Sequence, residues 1–179
     1  MKVTVEIALA ALRALPAYPD HGNAEERDAL LRPVAEVIVE VTGGDLARTS
    51  ALIAIGNAES AFARYVLEGR CASGPKGARC DWNYRSRTND ARGPWQVQRW
   101  CRQSWDYPEA TRDALLGEAR CADKLVRSAW AKCRTLTGIY AGYATNNRAC
   151  EWKDAERRRK VSAFVQGIMV RELKKARKN

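Results

Sequence analysis

The sequence predicts a mainly α-helical fold with one loop-rich or small β segment, and three observations carry that prediction. The chain has 179 residues, 46% hydrophobic and 29% charged, which is the size and composition of one compact domain that buries about 70% of its unfolded surface. Apolar residues recur at three- and four-residue steps up to Phe62 and again after Pro108, the period of a helix. Between Gly69 and Ser104 that period gives way to glycine, arginine, asparagine and tryptophan, as in a loop that forms a site. With Gly 12 and Pro 6 in the whole chain and no apolar run of membrane-spanning length, disordered, collagen-like and transmembrane classes are excluded.

Each element has its own signal. Residues 3–15 read as a first helix, stopped by Pro16 and Pro19. Asn23 and Glu26 have the spacing of a capping box that opens a second helix. Leu30, Leu31, Val34, Val37, Ile38 and Val41 form its apolar stripe, Pro33 marks a kink and Gly43-Gly44 closes it. Asp45 caps a third helix running from Leu46 to about Ala61, and Ala51-Leu52-Ile53-Ala54-Ile55 is apolar on every face, so this helix is central and buried. Beyond Pro108, the residues Ala119, Ala122, Leu125, Val126, Ala129, Trp130, Cys133 and Leu136 read as one long stripe ending at Gly138. A loop over 138–150 then leads to a last helix whose buried face is Val161, Phe164, Val165, Ile168 and Met169. On this reading residues 1–44 are N-terminal helices packing on a unit formed by 45–179, all within one compact domain.

The formal net charge is +10, and a surface that cationic speeds encounter with any anionic polymer: nucleic acid, acidic lipid or bacterial cell wall. Residues 151–179 carry ten Lys and Arg against four Asp and Glu, a run that reads as a solvated helix face with a basic tail. Met1 to Leu15 is apolar, but Glu6 interrupts it and Lys2 is its single leading charge. No secretory signal peptide is recognised there, and the segment reads as a helix.

Six cysteines stand at 71, 80, 101, 121, 133 and 150. None has zinc-knuckle spacing and the single histidine, His21, lies far from them, so no metal is expected and disulfides are the better reading. Six cysteines allow 15 pairings. Cys71 and Cys80, bracketing a glycine-rich loop, make the easiest local pair, while Cys101, Cys121, Cys133 and Cys150 stay unassigned.

Glu59 closes the most hydrophobic helix, in Gly56-Asn57-Ala58-Glu59-Ser60. A carboxyl held among apolar groups stays protonated toward neutral pH, which is what a general acid needs. Farther on stands Gly93-Pro94-Trp95-Gln96, and later Tyr140-Ala141-Gly142. Taken in order, the three segments resemble the lysozyme-like superfamily of soluble lytic transglycosylases and goose-type lysozymes. In that family a helix ends in Glu-Ser, a Gly-Leu-Met-Gln loop follows, and a later helix leads to Tyr-Asn-Ala-Gly. Here Pro94 and Trp95 replace Leu and Met, and the asparagine after Tyr140 is missing.

The resemblance spans roughly residues 46–170 and implies a lysozyme-like helical domain that cleaves the β-1,4 bond between N-acetylmuramic acid and N-acetylglucosamine in peptidoglycan, as a phage endolysin or virion-associated enzyme does. It implies Glu59 as the acid, Gln96 and Gly93 in the cleft and Ser60 orienting groups around the acid. Tyr140 would lie beside the sugar or Glu59, with Tyr143 as its substitute. A transglycosylase needs the single acid, whereas an inverting lysozyme needs an aspartate to activate water, and Asp81 and Asp90 are the candidates. Trp82, Trp95, Trp100 and Trp105 offer ring faces to sugars, Trp95 foremost. Arg92 and Arg99 are placed to meet peptidoglycan carboxylates. No cofactor, metal or nucleic-acid partner is implied; the partner is the glycan strand, the chain a monomer, and its place of action the cell wall, in the periplasm, outside the cell or from a phage particle. Two readings of other classes stand beside it: a basic helical nucleic-acid-binding module, and an inactive wall-binding or virion structural protein of the same fold. A His21-based nucleophilic enzyme is disfavoured by that residue's isolation in a turn.

Overall fold

The computed structural model describes residues 2–68, 82–83, 88–89, 91–98, 111–145 and 148–178. They form a mainly α fold. Helix α1 (Val5–Arg13) is followed by a 3-10 turn (Pro19–His21), α2 (Ala24–Thr42), α3 (Leu46–Ser60) and the short α4 (Arg64–Leu67). Two small antiparallel hairpins come next. Strand β1 (Trp82–Asn83) pairs with β2 (Thr88–Asn89), and β3 (Ala91–Arg92) with β4 (Val97–Gln98) in the register Ala91 opposite Gln98. The chain ends in α5 (Arg112–Cys133), α6 (Leu136–Ala144) and α7 (Ala155–Lys175).

The cap residues set several boundaries. The Asn23 side chain accepts from Glu26 N and the Glu26 carboxylate from Asn23 N, so two of the orphan donors at the start of α2 are satisfied. Gly43 ends that helix in the left-handed region (φ 62°), where a side chain would be strained. Asp45 then accepts from Arg48 N and opens α3 two residues later. Helix α2 continues through Pro33.

Helix α3 lies at the centre. Every residue from Thr49 to Gly56 is buried, and the helix packs on α2, α5 and α7. One continuous apolar cluster runs from Val3 to Leu173, and α1 enters it by packing on both α2 and α7. Truncating a core residue such as Leu52 to alanine costs about 2 to 5 kcal/mol.

Two readings of the C-terminal third are corrected. The stripe ending at Leu136 is not one helix, because α5 stops at Arg134 (φ 55°) and Thr135 caps a new helix by accepting from Gly138 N. The segment expected as a loop after 138 is therefore helical as far as Ala144, and both Trp130 and Leu136 are left exposed, at 46% and 56%. In α7, Phe164 is 52% exposed while Val165, Ile168 and Met169 are buried; the buried face is rotated and takes in Arg158 and Ser162 instead. Cys133 and Cys150 form a disulfide that ties the end of α5 to the segment before α7, and Cys121 is also disulfide-bonded. Cys71, Cys80 and Cys101 lie outside the described residues. No described helix is long and apolar enough to cross a membrane.

Candidate active site

Glu59 stands one residue before the end of α3. The chain leaves the helix sharply there, through two non-glycine residues in the left-handed region, Ala61 (φ 54°) and Phe62 (φ 52°). Such a reversal needs support. Ser60 provides part of it: its hydroxyl donates to Gly56 O at 3.1 Å and accepts from Phe62 N at 3.1 Å. Ser60 is wholly buried in this task, so the expectation that it orients groups around the acid is corrected to a role in the turn. His21 supplies the rest. Its Nδ1 accepts from Tyr18 N at 3.1 Å, which leaves Nε2–H to donate to Phe62 O at 2.9 Å. Burial pushes the His21 pKa down, against the hydrogen bond to Phe62. The lone histidine is thus a neutral strut behind the turn.

The Glu59 side chain is 22% exposed, and one of its oxygens accepts from Arg158 Nη1 at 2.5 Å. The Arg158 guanidinium is nearly buried and stacks over Trp152, 4.5 Å from the ring centroid. A guanidinium in contact favours the charged form of any carboxylate. The expected neutral acid in an apolar groove is corrected to a carboxylate set in an ion pair.

The Gly93–Gln96 segment forms the turn between β3 and β4, closed by Gln96 N donating to Gly93 O at 3.1 Å. Gln96 is itself left-handed (φ 48°), and its side-chain amide donates back to Gly93 O at 2.8 Å. Trp95 is fully buried, with its indole N–H donating to Leu52 O in the middle of α3 at 2.9 Å. Its expected sugar face is therefore corrected to a core anchor that pins the turn to the central helix. Gly56 permits this packing, since a Cβ there would come within 2.4 Å of the Phe62 ring and 3.3 Å of the Trp95 indole nitrogen.

Of the two tyrosines, Tyr143 reaches the site. Its hydroxyl donates to Trp95 O at 2.7 Å, and its pKa is raised well above 10.0, first by burial and then by the charges of Glu59 and Glu118, against Arg158. Tyr140 is hydrogen-bonded to Ser162, lies near Arg159 and has its pKa raised by burial. It lines a different cavity, and its expected place beside Glu59 is corrected.

Glu118 was not singled out from sequence. It is buried on α5, and its Oε2 lies 1.7 Å from where a Cβ on Gly93 would stand, so glycine at 93 (φ 70°) is required for this approach as well as for its dihedral. The signal was available: Glu118 lies four residues before Ala122 and four after Ala114, on the buried face of α5. Arg158 was legible in the same way, sharing the face of Ser162, Val165 and Met169. Asp81 and Asp90, like Trp82 as a side chain, Trp100 and Trp105, fall outside the described groups. Among the described residues no cluster of three His, Cys, Asp or Glu side chains is placed to hold a metal ion.

The arrangement brings Glu59, Arg158, Tyr143, Glu118 and the Gly93–Gln96 turn together from five separate stretches of chain. Comparison with family models, curated proteins and solved structures finds no match.

Proposed function

We propose that the protein is a peptidoglycan-cleaving enzyme of the lysozyme-like kind, a lytic transglycosylase that uses Glu59 as its single acid and base. The observation that supports this reading is the convergence of the three motif segments: a part-exposed carboxylate at the end of α3, the Gln96-bearing turn anchored on the same helix by Trp95, and Tyr143 hydrogen-bonded to that turn. Glu59, protonated in the substrate complex, gives its proton to the oxygen linking N-acetylmuramic acid to N-acetylglucosamine, and the C–O bond breaks through an oxocarbenium-like state. The 6-hydroxyl of the muramyl residue then attacks the anomeric carbon and returns a proton to the carboxylate, leaving a 1,6-anhydro end. Arg158 must release Glu59 before the first step and steadies the anion after it. Glu118 is too buried to activate a water, so it serves the turn. The site of action is the bacterial wall, reached by a monomer whose net charge of +10 draws it to the anionic polymer.

The ion pair itself favours a second reading, an inactive wall-binding protein in which Arg158 permanently neutralises Glu59. Purified sacculi separate the two. Release of muropeptides with anhydro ends, abolished in Glu59→Gln, supports the enzyme; reducing ends indicate the hydrolytic variant; binding without release supports the inactive protein.

A further inference from the structure

A small cavity of about 180 Å³ adjoins the Glu59–Arg158 pair, between the last turn of α3 and the start of α7. Asn57 and Ala58 form one wall, and Trp152, Asp154, Arg157 and Arg158 supply the other. Glu59 is not in the lining, so the Arg158 guanidinium is the partition between the cavity and the candidate acid. The volume is below the roughly 300 Å³ at which small-molecule sites begin, so the cavity takes one functional group of a larger ligand.

Arg158 is held but not used up. Its side chain is 9% exposed, and a single N–H, on Nη1, donates to Glu59; no other described residue accepts from its guanidinium. Trp152 covers the guanidinium face, 4.5 Å from the ring centroid, which leaves bonding in the guanidinium plane, the direction in which a carboxylate accepts two parallel N–H bonds. Arg157, exposed at the preceding position of α7, forms no hydrogen bond or ion pair with a described residue. Asp154 lines the same cavity without pairing with either arginine, and its side chain does not cap α7. Two guanidiniums therefore face the cavity against one carboxylate. Arg159, by contrast, is spent on Glu156 and does not line it.

Only an anion competes with Glu59 for this guanidinium, because a bond from a cation to a charged acceptor is about twice as strong as one between neutral groups. On the glycan strand of the function proposed above, the sugars are neutral and the lactyl acid of N-acetylmuramic acid is tied up as an amide, so the competing anions are carboxylates of the attached peptide. Resting on that reading, we propose that this cavity receives a carboxylate of the peptide carried by the muramyl residue, and that Arg158 turns from Glu59 to it, so that the arriving substrate frees the acid that cleaves it. The step is an exchange of ion-pair partners: Arg158 stays charged, and Glu59, deprived of its cation, takes up a proton from solvent.

Calorimetric titration of the full chain with N-acetylmuramyl-L-alanyl-D-glutamate and with its diamide tests this, at about pH 5, where an unpaired glutamate is part-protonated, in two buffers of different ionisation enthalpy. The acid binds at least tenfold more tightly than the diamide. Arg157→Ala weakens that binding at least tenfold, whereas Lys153→Ala, an equal loss of charge outside the cavity lining, leaves it within twofold. Equal affinity for acid and diamide, or equal losses in the two variants, overturns the carboxylate site. Glu59→Gln binds the acid at least as tightly as the wild type, since the competitor is gone, and the wild type takes up more protons on binding than this variant does, the difference being the proton gained by the released Glu59; no difference overturns the exchange. N-acetylmuramic acid, whose free acid lies on the lactyl group, binds no better than the diamide, and tighter binding moves the site to the sugar's own acid and overturns the peptide assignment. None of these readouts depends on turnover: sacculi that release no muropeptides remove the enzymatic reading while peptide binding and proton uptake still decide this one, and release without peptide binding removes the cavity alone.

Discussion

Both ends of α3 are tied to a neighbouring helix by a carboxylate–guanidinium pair, and the two pairs differ in how completely they are closed. At the first end Asp123 is 2% exposed and takes two charge-assisted bonds from Arg48, at 2.8 and 2.7 Å, with Arg127 Nε at 2.9 Å as a third. Arg48 itself also donates to Val41 O and Thr42 O, so the pair locks the α2–α3 corner to α5. At the far end Glu59 is 22% exposed and offers one oxygen to one nitrogen of Arg158. The first pair has no free valence for chemistry. The second is part-exposed at its carboxylate, which is the difference between a pair sealed into the core and one that solvent reaches.

Exchanging the charges tests that contrast. The largest effect is on turnover: Glu59→Gln lowers muropeptide release from sacculi by about 10²- to 10⁴-fold, the span of general acid–base contributions, with the urea midpoint nearly unchanged. Asp123→Asn does the reverse. It lowers the unfolding free energy by about 2 kcal/mol in urea titration, below the cost of a fully buried pair because both arginines reach solvent; an effect on glycan release at a temperature where the variant is folded would break the comparison. Next comes Arg158→Gln, which removes the cation that favours the charged carboxylate. It carries the alkaline limb of the pH profile of kcat/KM, which reports the free enzyme, upward; an unmoved limb means that Arg158 does not favour the charged carboxylate in the free enzyme.

The smallest effect concerns His21. Its folded-state pKa lies below the ordinary 6.5 because of burial, so as pH falls below about 6.5 the unfolded chain takes up a proton that the folded chain refuses. Stability is therefore full above that pH and declines beneath it until the folded-state pKa is passed, by at most about 1.4 kcal/mol per pH unit. His21→Gln flattens that part of the curve, which denaturation at pH 7 and at pH 5.5 reads directly.

Sequence reasoning saw what local chemistry encodes. Asn23, Glu26, Gly43 and Asp45 mark their boundaries through bonds to the next few residues, and α3 reveals its burial because no face of Ala51–Ile55 is polar. What it missed depends on distant parts of the chain. The break at Arg134 carries neither glycine nor proline, and its one cue is Thr135 three residues before Gly138. Trp95 looked like a ligand platform because nothing local announces that Leu52 O, 43 residues away, accepts its N–H. Arg158 was counted with a solvated basic run although its spacing to Ser162 and Val165 put it on the buried face.

Gly56 has a practical consequence for anyone who maps this protein by saturation mutagenesis. It meets no substrate and carries no functional group, yet the ring of Phe62 fills the space that even a methyl group would need. Alanine there displaces the floor beneath the carboxylate one turn away. A scan of fitness across positions will rank this silent residue beside Glu59, and only an assay that separates abundance from turnover will tell the two apart.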